Sequence, residues 1–318
     1  MYYRKLGDTG SLVGEIGFGG WTLGGPDGLA PDDDTAVELI RSAITRGANF
    51  IDTADVYGDG RSERLIGRAI EGRREHAFIA TKGGLVSQGG VLSRDFSPKH
   101  LRRAAEASRE RLCCGTIDLY QLHHPTPTDL AEPVLWEELA RLQADGVIRH
   151  VGVAVQAAEA ARAALAAPAS APVATLQLPL NAFDAELLPL LPRARAAGIG
   201  VIARAPLLGG VLARDYRPGH RFAPGDPRAA WPAARLAAAL AFARRFRELA
   251  NENERSAAQA ALGWVLAQEE VAVTIPGARL SQQLDENLAA SDLPLPAPRL
   301  LAAVQHLRLV GSEVAAKG

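Results

Sequence analysis

The chain has 318 residues, of which 47% are hydrophobic and 22% are charged, with a formal net charge of −1. This composition is that of an ordinary globular protein, and the charge gives no electrostatic case for binding nucleic acid or an anionic membrane. No stretch reaches the roughly 18 uninterrupted apolar residues of a membrane-spanning helix, and no apolar run of a signal peptide follows Met1. The two cysteines, Cys113 and Cys114, are adjacent and cannot build a disulfide framework. We therefore expect a cytoplasmic protein.

Short apolar segments and amphipathic segments alternate along the chain. A hairpin is predicted at residues 3–13, where Gly7 and Gly10 are turn residues, and it precedes a first barrel strand at residues 15–19. Seven more strands are predicted over residues 49–51, 77–81, 117–122, 148–155, 174–178, 199–205 and 270–275. Helices are predicted to begin near residues 33, 62, 98, 133, 157, 185, 233, 256, 281 and 298.

This alternation predicts an α/β fold, a closed (β/α)₈ TIM barrel with an N-terminal β-hairpin and extra C-terminal helices. No linker divides the chain, so we expect a single barrel domain over residues 1–318. The predicted elements include a helix at residues 185–197, a terminal helix at residues 298–310 and a long loop at residues 206–232. Loops at residues 21–31, 83–96, 125–131 and 206–232 are expected to set substrate specificity, and the glycine-rich segment 83–90 to be mobile.

Reactive side chains stand at three successive strand ends. Asp52 ends the second barrel strand and Tyr57 follows it in the loop, while Lys82 ends the third strand and His123 the fourth. Because the carboxyl ends of barrel strands all lie on one face, we expect these four side chains to lie together. Each alone has a structural alternative, such as a buried carboxylate, a solvated lysine or a packed histidine, but their combination favours a catalytic site.

The four side chains suit one kind of chemistry. A free tyrosine has a pKa of about 10, and a neighbouring lysine ammonium is expected to lower it, while an aspartate keeps the lysine charged. A neutral histidine can donate a hydrogen bond to a substrate oxygen. The set therefore suits protonation of a carbonyl oxygen as hydride reaches its carbon, and the hydride must come from a reduced nicotinamide.

Several segments together resemble the aldo-keto reductase family, of bacterial type, over nearly the whole chain. They are Tyr-Arg-Lys-Leu-Gly-Asp-Thr-Gly at residues 3–10, Gly-Phe-Gly-Gly-Trp at 17–21, Phe-Ile-Asp-Thr-Ala-Asp-Val-Tyr-Gly at 50–58, Ala-Thr-Lys at 80–82, Asp-Leu-Tyr-Gln-Leu-His at 118–123, Ile-Pro-Gly-Ala-Arg at 275–279 and Glu-Asn at 286–287. The resemblance implies that Tyr57 is the general acid, that Lys82 and Asp52 tune it, and that His123 orients the carbonyl.

The resemblance also implies an extended NADPH across the barrel mouth, with NADH as the alternative and without a Rossmann fold. This agrees with the absence of a G-x-G-x-x-G segment between an early strand and its helix. Gln177 would hold the carboxamide, residues 207–212 the pyrophosphate, and Arg279 the 2′-phosphate. The full set that the resemblance assigns to cofactor binding is Gly20, Trp21, Gln177, Arg204, Ala205, Pro206, Leu207, Leu208, Gly209, Gly210, Gly277, Ala278, Arg279, Gln283, Glu286 and Asn287. Trp21 is also expected to wall the substrate pocket.

Four positions depart from the family pattern. Ala154 and Val155 stand where the family commonly has Ser-Asn, so their side chains cannot bond the carboxamide. Arg204 stands where many members stack an aromatic ring on the nicotinamide, and a guanidinium plane can also stack. Gln283 replaces a basic residue, so the preference for NADPH rests mainly on Arg279.

We therefore predict an NADPH-dependent oxidoreductase, a ketoreductase that reduces a small-molecule aldehyde, ketone or sugar-like carbonyl to the alcohol. Alternatives are an NAD(P)-linked alcohol or sugar dehydrogenase, a nucleotide-sensing partner of the channel β-subunit type, and a barrel that binds nucleotide without activity. A metal site of Asp52, His123 and His124 would leave Tyr57 and Lys82 unexplained, so no metal is predicted. No nucleic-acid or membrane partner is predicted, and the substrate, the direction of reaction and a homo-oligomeric state are left open.

Overall fold

A curled sheet of eight parallel strands forms the centre of the molecule. The computed structural model describes residues 1–25, 30–88, 91–167, 171–217, 219–223 and 225–316, so parts of the predicted specificity loops (26–29, 89–90, 218 and 224) lie outside it. The strands are β1 (Tyr3–Lys5), β2 (Leu12–Gly14), β3 (Phe18–Gly19), β4 (Phe50–Asp52), β5 (Phe78–Gly83), β6 (Leu85–Gln88), β7 (Val91–Arg94), β8 (Ile117–His123), β9 (Ile148–Ala154), β10 (Val173–Pro179), β11 (Gly200–Arg204) and β12 (Val271–Thr274). The parallel sheet has the order β3-β4-β5-β8-β9-β10-β11-β12.

The first and last strands of this sheet meet at a seam that closes the ring. Gly17 N donates to Thr274 O at 2.8 Å, and Thr274 N donates to Glu15 O at 2.9 Å. These two bonds form a parallel bridge between Ile16 and Thr274, and beyond it Gly19 N donates to Pro276 O at 3.0 Å. The closure confirms the predicted (β/α)₈ barrel, and the antiparallel pairing of β1 with β2 confirms the N-terminal hairpin.

Helices surround the sheet and bury its outer face. They are α1 (Asp33–Thr45), α2 (Arg61–Ile70), α3 (Pro98–Arg111), α4 (Pro127–Leu130), α5 (Pro133–Ala144), α6 (Ala158–Leu165), α7 (Leu191–Ala196), α8 (Ala233–Asn251), α9 (Ala257–Leu266), α10 (Ser281–Ala289) and α11 (Pro298–Ala316). The Asp32 side chain accepts from Thr35 N at the start of α1, and Ser97 accepts from His100 N at the start of α3. Both faces of the strands are covered, which is why they read as apolar runs in the sequence.

The structure differs from the predicted elements in four places. The helix expected at residues 185–197 is only a helical turn, Leu188–Leu190, followed by α7, because Pro189 and Pro192 each lack the N–H that a continuous helix needs. The single turn α4 was not predicted, and the terminal helix extends to Ala316. Where a loop was expected after residue 83, β6 and β7 form an antiparallel hairpin at the barrel mouth.

No helix within the described ranges is both long and apolar enough to cross a membrane.

Candidate active site

A buried ion pair lies at the centre of the barrel mouth. Lys82 Nζ donates to Asp52 Oδ2 at 2.6 Å and to the backbone oxygen of Thr53 at 2.7 Å, and it lies 3.5 Å from the hydroxyl of Tyr57. The exposed fractions of the Lys82 and Asp52 side chains are 1% and 4%. Burial alone would lower the pKa of Lys82, but Asp52 and Tyr57 raise it above its ordinary value. Lys82 is therefore a charged group in contact with the phenol.

The second oxygen of Asp52 is held by two glutamines from other strands. Gln177 Nε2 donates to Asp52 Oδ1 at 2.7 Å and Gln121 Nε2 donates to it at 3.2 Å. Gln121 was missed in the sequence, although it alternates with His123 on β8 and so shares its inward face. The glutamines on β8 and β10 thus fix the orientation of Asp52, and Asp52 in turn positions Lys82 on β5.

Tyr57 is positioned by a tight turn after β4. Its backbone N–H donates to Ala54 O at 3.1 Å, and its carbonyl accepts from Ser62 N at 3.2 Å at the start of α2. The loop after β3 packs against this turn so closely that a Cβ atom on Gly24 would lie 2.2 Å from the carbonyl carbon of Tyr57. Gly24 therefore allows the approach that holds the phenol in place.

The pKa of Tyr57 is raised above 10.0, mainly by burial. Lys82 lowers this pKa, as the sequence predicted, and Asp52 raises it again, so the expectation of a net lowering is wrong. The physical reason is that the ring is removed from water, which disfavours the phenolate. At neutral pH Tyr57 therefore carries its proton and can donate it.

His123 faces Tyr57 across the mouth. The two ring centroids are 5.9 Å apart and the rings are nearly perpendicular. Burial lowers the pKa of His123 well below 6.5, and the positive charge of Lys82 lowers it further. His123 is thus a neutral imidazole at physiological pH, suited to donating a hydrogen bond to a substrate oxygen.

Arg204 and His124 lie beside this pair. Arg204 Nη2 donates to Val155 O at 3.1 Å, contacts His124 Nε2 at 3.4 Å and donates to Gln156 Oε1. Burial and, to a smaller extent, the positive charge of Arg204 lower the pKa of His124 to about 3, so this imidazole is also neutral. The contacts of Arg204 were not foreseen, because residues 124 and 156 carried no recognisable pattern.

A cleft of about 1110 Å³ extends from Tyr57 and His123 to the region after β12. The sequence-predicted residues that line it are Trp21, Asp52, Tyr57, His123, Gln177, Arg204, Ala205, Pro206, Leu207, Leu208, Gly209, Gly210, Gly277, Arg279, Gln283, Glu286 and Asn287. Gly20, Ala278 and Lys82 do not line it. The Trp21 side chain is 49% exposed, and Leu92 of the β6–β7 hairpin also lines the mouth.

The far end of the cleft is rich in arginine. Burial lowers the pKa of Arg279, and the neighbouring cations Arg214 and Arg228 lower it further. Arg228 is itself held by Asp226 Oδ2 at 2.6 Å and by Gly209 O at 2.8 Å. The sequence predicted no role for Arg214 and Arg228, because an irregular loop has no periodicity that would place them.

The side chains and backbone of the cleft fit a nicotinamide dinucleotide. Gln177 Oε1 is a buried acceptor without a hydrogen-bond partner, and it can accept from a carboxamide N–H. Gly209 and Gly210 adopt positive φ angles of 61° and 85°, which turns the backbone at the cleft, and turns of this kind can present a backbone N–H to a phosphate. Among the described residues, no group of three or more His, Cys, Asp or Glu side chains could hold a metal ion.

The profile of the "Aldo/keto reductase family" matches residues 15–305 of the chain. The chain belongs to this family. As an aldo-keto reductase it is an oxidoreductase.

Two members of the family align with this aldo-keto reductase over most of its length. It is 31% identical over 306 residues to aldo-keto reductase str7 of Strobilurus tenacellus, covering 92% of this chain and 88% of the relative. It is 32% identical over 295 residues to aldo-keto reductase YhdN of Bacillus subtilis (strain 168), covering 90% and 87%. The family assignment therefore extends over nearly the whole chain.

Solved structures of other family members have the same barrel. The holo form of aldo-keto reductase AKR11C1 from Bacillus halodurans aligns with a TM-score of 0.81 at 26% identity, covering 96% of each chain. Glycerol dehydrogenase AKR11B4 from Gluconobacter oxydans gives 0.82 at 31%, covering 96% of this chain and 94% of that one. An aldo/keto reductase from Klebsiella pneumoniae, in complex with NADP and acetate, gives 0.73 at 25%, covering 97% and 96%. Of these three neighbours, the Klebsiella protein is the one whose description names a bound NADP.

Proposed function

We propose that this aldo-keto reductase is NADPH-dependent and reduces an aldehyde, ketone or sugar-like carbonyl to the alcohol, with Tyr57 as the proton donor. The observation that carries the proposal is the contact between the protonated Tyr57 and the buried Lys82–Asp52 pair. A buried phenol that keeps its proton and touches a fixed ammonium is suited to transferring that proton to a substrate oxygen.

The bound nicotinamide supplies the hydride, and the residues of the chain manage the proton. Tyr57 donates its hydroxyl proton to the carbonyl oxygen, and the ammonium of Lys82, 3.5 Å away, stabilises the phenolate that remains. His123 is neutral and donates a hydrogen bond to the same oxygen, which orients the carbonyl. General acid catalysis of this kind contributes about 10²–10⁴-fold to the rate.

The arginines at the far end of the cleft support the choice of NADPH over NADH. Arg214 and Arg228 lie near enough to Arg279 to lower its pKa, so the region has a positive potential. A 2′-phosphate adds negative charge and strong acceptor oxygens, which guanidinium groups bind in charge-assisted hydrogen bonds. We place the 2′-phosphate at Arg279, with Arg214 and Arg228 adding to the potential.

Oxidation of an alcohol or sugar by the same residues is the second candidate. It is favoured by the similarity to the Gluconobacter glycerol dehydrogenase, whose TM-score is 0.82. The site works in both directions, because a Tyr57 phenolate stabilised by Lys82 can accept the alcohol proton that the phenol otherwise donates. Rates measured in both directions with one carbonyl–alcohol pair separate the two candidates.

Titration of NADPH and NADH tests the proposal directly. We expect NADPH to bind at least about tenfold more tightly, a difference of roughly 1.4 kcal/mol, and Arg279→Ala to remove most of this gap. Arg221→Ala is the matched control, because Arg221 is an exposed loop arginine that does not line the cleft. Failure of the protein to bind either nucleotide would refute the reductase assignment, and equal binding of the two would refute the NADPH preference alone.

A further inference from the structure

Arg204 is a partly buried cation that is held by neutral groups. Its guanidinium contacts the backbone oxygen of Val155, the amide oxygen of Gln156 and the imidazole of His124. Two other arginines that line the cleft are paired with carboxylates, Arg228 with Asp226 at 2.6 Å and Arg235 with Asp184 at 2.7 Å. No ion pair joins Arg204 to a carboxylate in the part of the chain that the structure describes.

The charge of Arg204 dominates the catalytic end of the cleft. Lys82 and Asp52 neutralise each other, and the low pKa values of His123 and His124 leave both imidazoles uncharged. Burial lowers the pKa of Arg204, although Tyr57 and Asp52 oppose this, and a guanidinium stays protonated in proteins. The end of the cleft where the proton is transferred therefore carries the positive charge of Arg204, and the exposed, solvent-screened Arg94, which donates to His124 O at 3.0 Å, lies nearby as a second cation.

A hydride donor at this site must lie close to that charge. A carbonyl held by Tyr57 and His123 can react only when the donor carbon lies about 3–3.5 Å from the carbonyl carbon. Arg204 lies against His124, the neighbour of His123, and is near enough to Tyr57 and Asp52 for them to affect its pKa. The nicotinamide ring that serves this carbonyl is therefore within electrostatic range of the guanidinium.

We propose that Arg204 makes the cleft discriminate between the two redox states of the nicotinamide, binding the neutral reduced ring more tightly than the cationic oxidised ring. The inference rests on the proposed function. Two like charges about 6 Å apart in a partly screened site repel strongly enough to change a binding constant by about tenfold or more. The same repulsion speeds release of the oxidised cofactor and shifts the equilibrium between the bound redox states toward the reduced one.

The contacts of Arg204 do not favour a role in holding an anionic substrate. A carboxylate binds a guanidinium best through two parallel N–H donors. Nη2 of Arg204 is committed to Val155, Gln156 and His124, and Nε is buried without a partner. The donors on the Nε–Nη2 edge of the guanidinium are thus occupied or enclosed. The charge of Arg204 therefore acts through space on a nicotinamide ring that lies beside it.

The test is the ratio of two dissociation constants, Kd for NADP⁺ divided by Kd for NADPH, measured by calorimetry on the full chain. We expect the ratio to exceed one in the unsubstituted protein and to fall by at least about tenfold in Arg204→Met and Arg204→Gln. Arg204→Lys keeps a positive charge and is expected to retain most of the ratio. Arg228→Gln is the matched control, since loss of a charge beside the phosphates changes both constants alike and leaves the ratio unchanged.

Each contrary result has a distinct meaning. If the unsubstituted protein binds NADP⁺ at least as tightly as NADPH, or if the ratio is unchanged in both uncharged variants, the inference about Arg204 is overturned while the proposed function stands. An unchanged ratio together with a KM increase confined to carboxylated carbonyls would assign Arg204 to the substrate and overturn the inference as well. If neither form of the nucleotide binds the unsubstituted protein, the proposed function fails first.

Discussion

Lys82 and Asp52 form an ion pair of 2.6 Å with 1% and 4% of their side chains exposed. Removal of one partner leaves an unpaired charge away from water, which costs about 3–5 kcal/mol. We therefore expect Lys82→Met to lower the free energy of unfolding by this amount, measured by urea denaturation. The double variant Lys82→Met/Asp52→Asn is expected to regain part of the loss, because no charge is then left unpaired.

The exposed pair Arg195–Glu269 is the matched control for this experiment. Its side chains are 63% and 83% exposed, so Arg195→Met should change the free energy of unfolding by less than about 1 kcal/mol. An effect of Lys82→Met as small as that of Arg195→Met would show that water reaches the Lys82–Asp52 pair in solution.

The hydroxyl of Tyr57 is expected to be needed for turnover and not for cofactor affinity. Tyr57→Phe removes the proton donor while keeping the ring that packs across from His123 at 5.9 Å. We expect kcat to fall about 10²–10⁴-fold with the Kd for NADPH nearly unchanged. Steady-state kinetics and nucleotide titration on the same preparation check both parts, and a variant that keeps more than a tenth of the activity would contradict the assigned role.

The raised pKa of the Asp55 carboxyl leads us to expect that the stability of the protein depends on pH. Burial, together with the nearby Glu63, raises the pKa of Asp55 from 3.8 to about 7, against the opposing effect of Arg111 and Lys82. Between about pH 4 and pH 7 the folded state therefore holds a proton that the unfolded state has lost, so stability falls as pH rises through this window. The effect on the free energy of unfolding is on the order of 2–4 kcal/mol.

Asp55→Asn should remove this dependence, because an amide does not titrate. We expect the variant and the unsubstituted protein to be nearly equally stable near pH 4, and the variant to be the more stable of the two at pH 8. Denaturant titrations at several pH values measure this, and parallel pH profiles for the two proteins would contradict it.

Two neighbouring glycines predict opposite outcomes for the same substitution. A Cβ on Gly24 would lie 2.2 Å from Tyr57, whereas a Cβ on Gly25 would meet only Thr22 O, at 3.6 Å. Gly24→Ala should cost about 1–3 kcal/mol of stability and displace Tyr57, and a displacement near 1 Å lowers kcat about 10²-fold. Gly25→Ala should change neither quantity much, and a similar loss in both variants would show that loop flexibility is the cause.

The barrel and the convergence of Asp52, Lys82 and His123 could be predicted from the sequence because both follow short-range rules. Apolar runs alternate with amphipathic segments, and these three residues lie at or next to the ends of neighbouring strands of a parallel ring, so their convergence follows from topology. Gln121 was also within reach, through its alternation with His123. The net pKa of Tyr57 could not be predicted, because the burial of a side chain does not follow from the residues next to it in the sequence.

The features that could not be predicted arise from contacts between distant segments. Arg228 reaches Gly209 O at 2.8 Å from the other end of an irregular loop, and Arg204 reaches residues after β8 and β9. The pairing of β6 with β7 was missed because the sequence of residues 83–90 is rich in glycine, which has a low preference for strands. Gln177 was assigned one role by resemblance, but its Nε2 donates to Asp52, which only the three-dimensional packing reveals.

The seam between β3 and β12 has a consequence for the ligated protein. Few backbone hydrogen bonds join its two sides, and the segment from Gly277 to Asn287 that lines the cleft follows it directly. A dinucleotide in the cleft would contact both sides, since Trp21 lies on one and Gly277 on the other. The bound nucleotide would then link the two sides of the seam and stabilise it. Hydrogen exchange at the amides of Gly17 and Gly19 should therefore slow on binding more than exchange within β8 and β9.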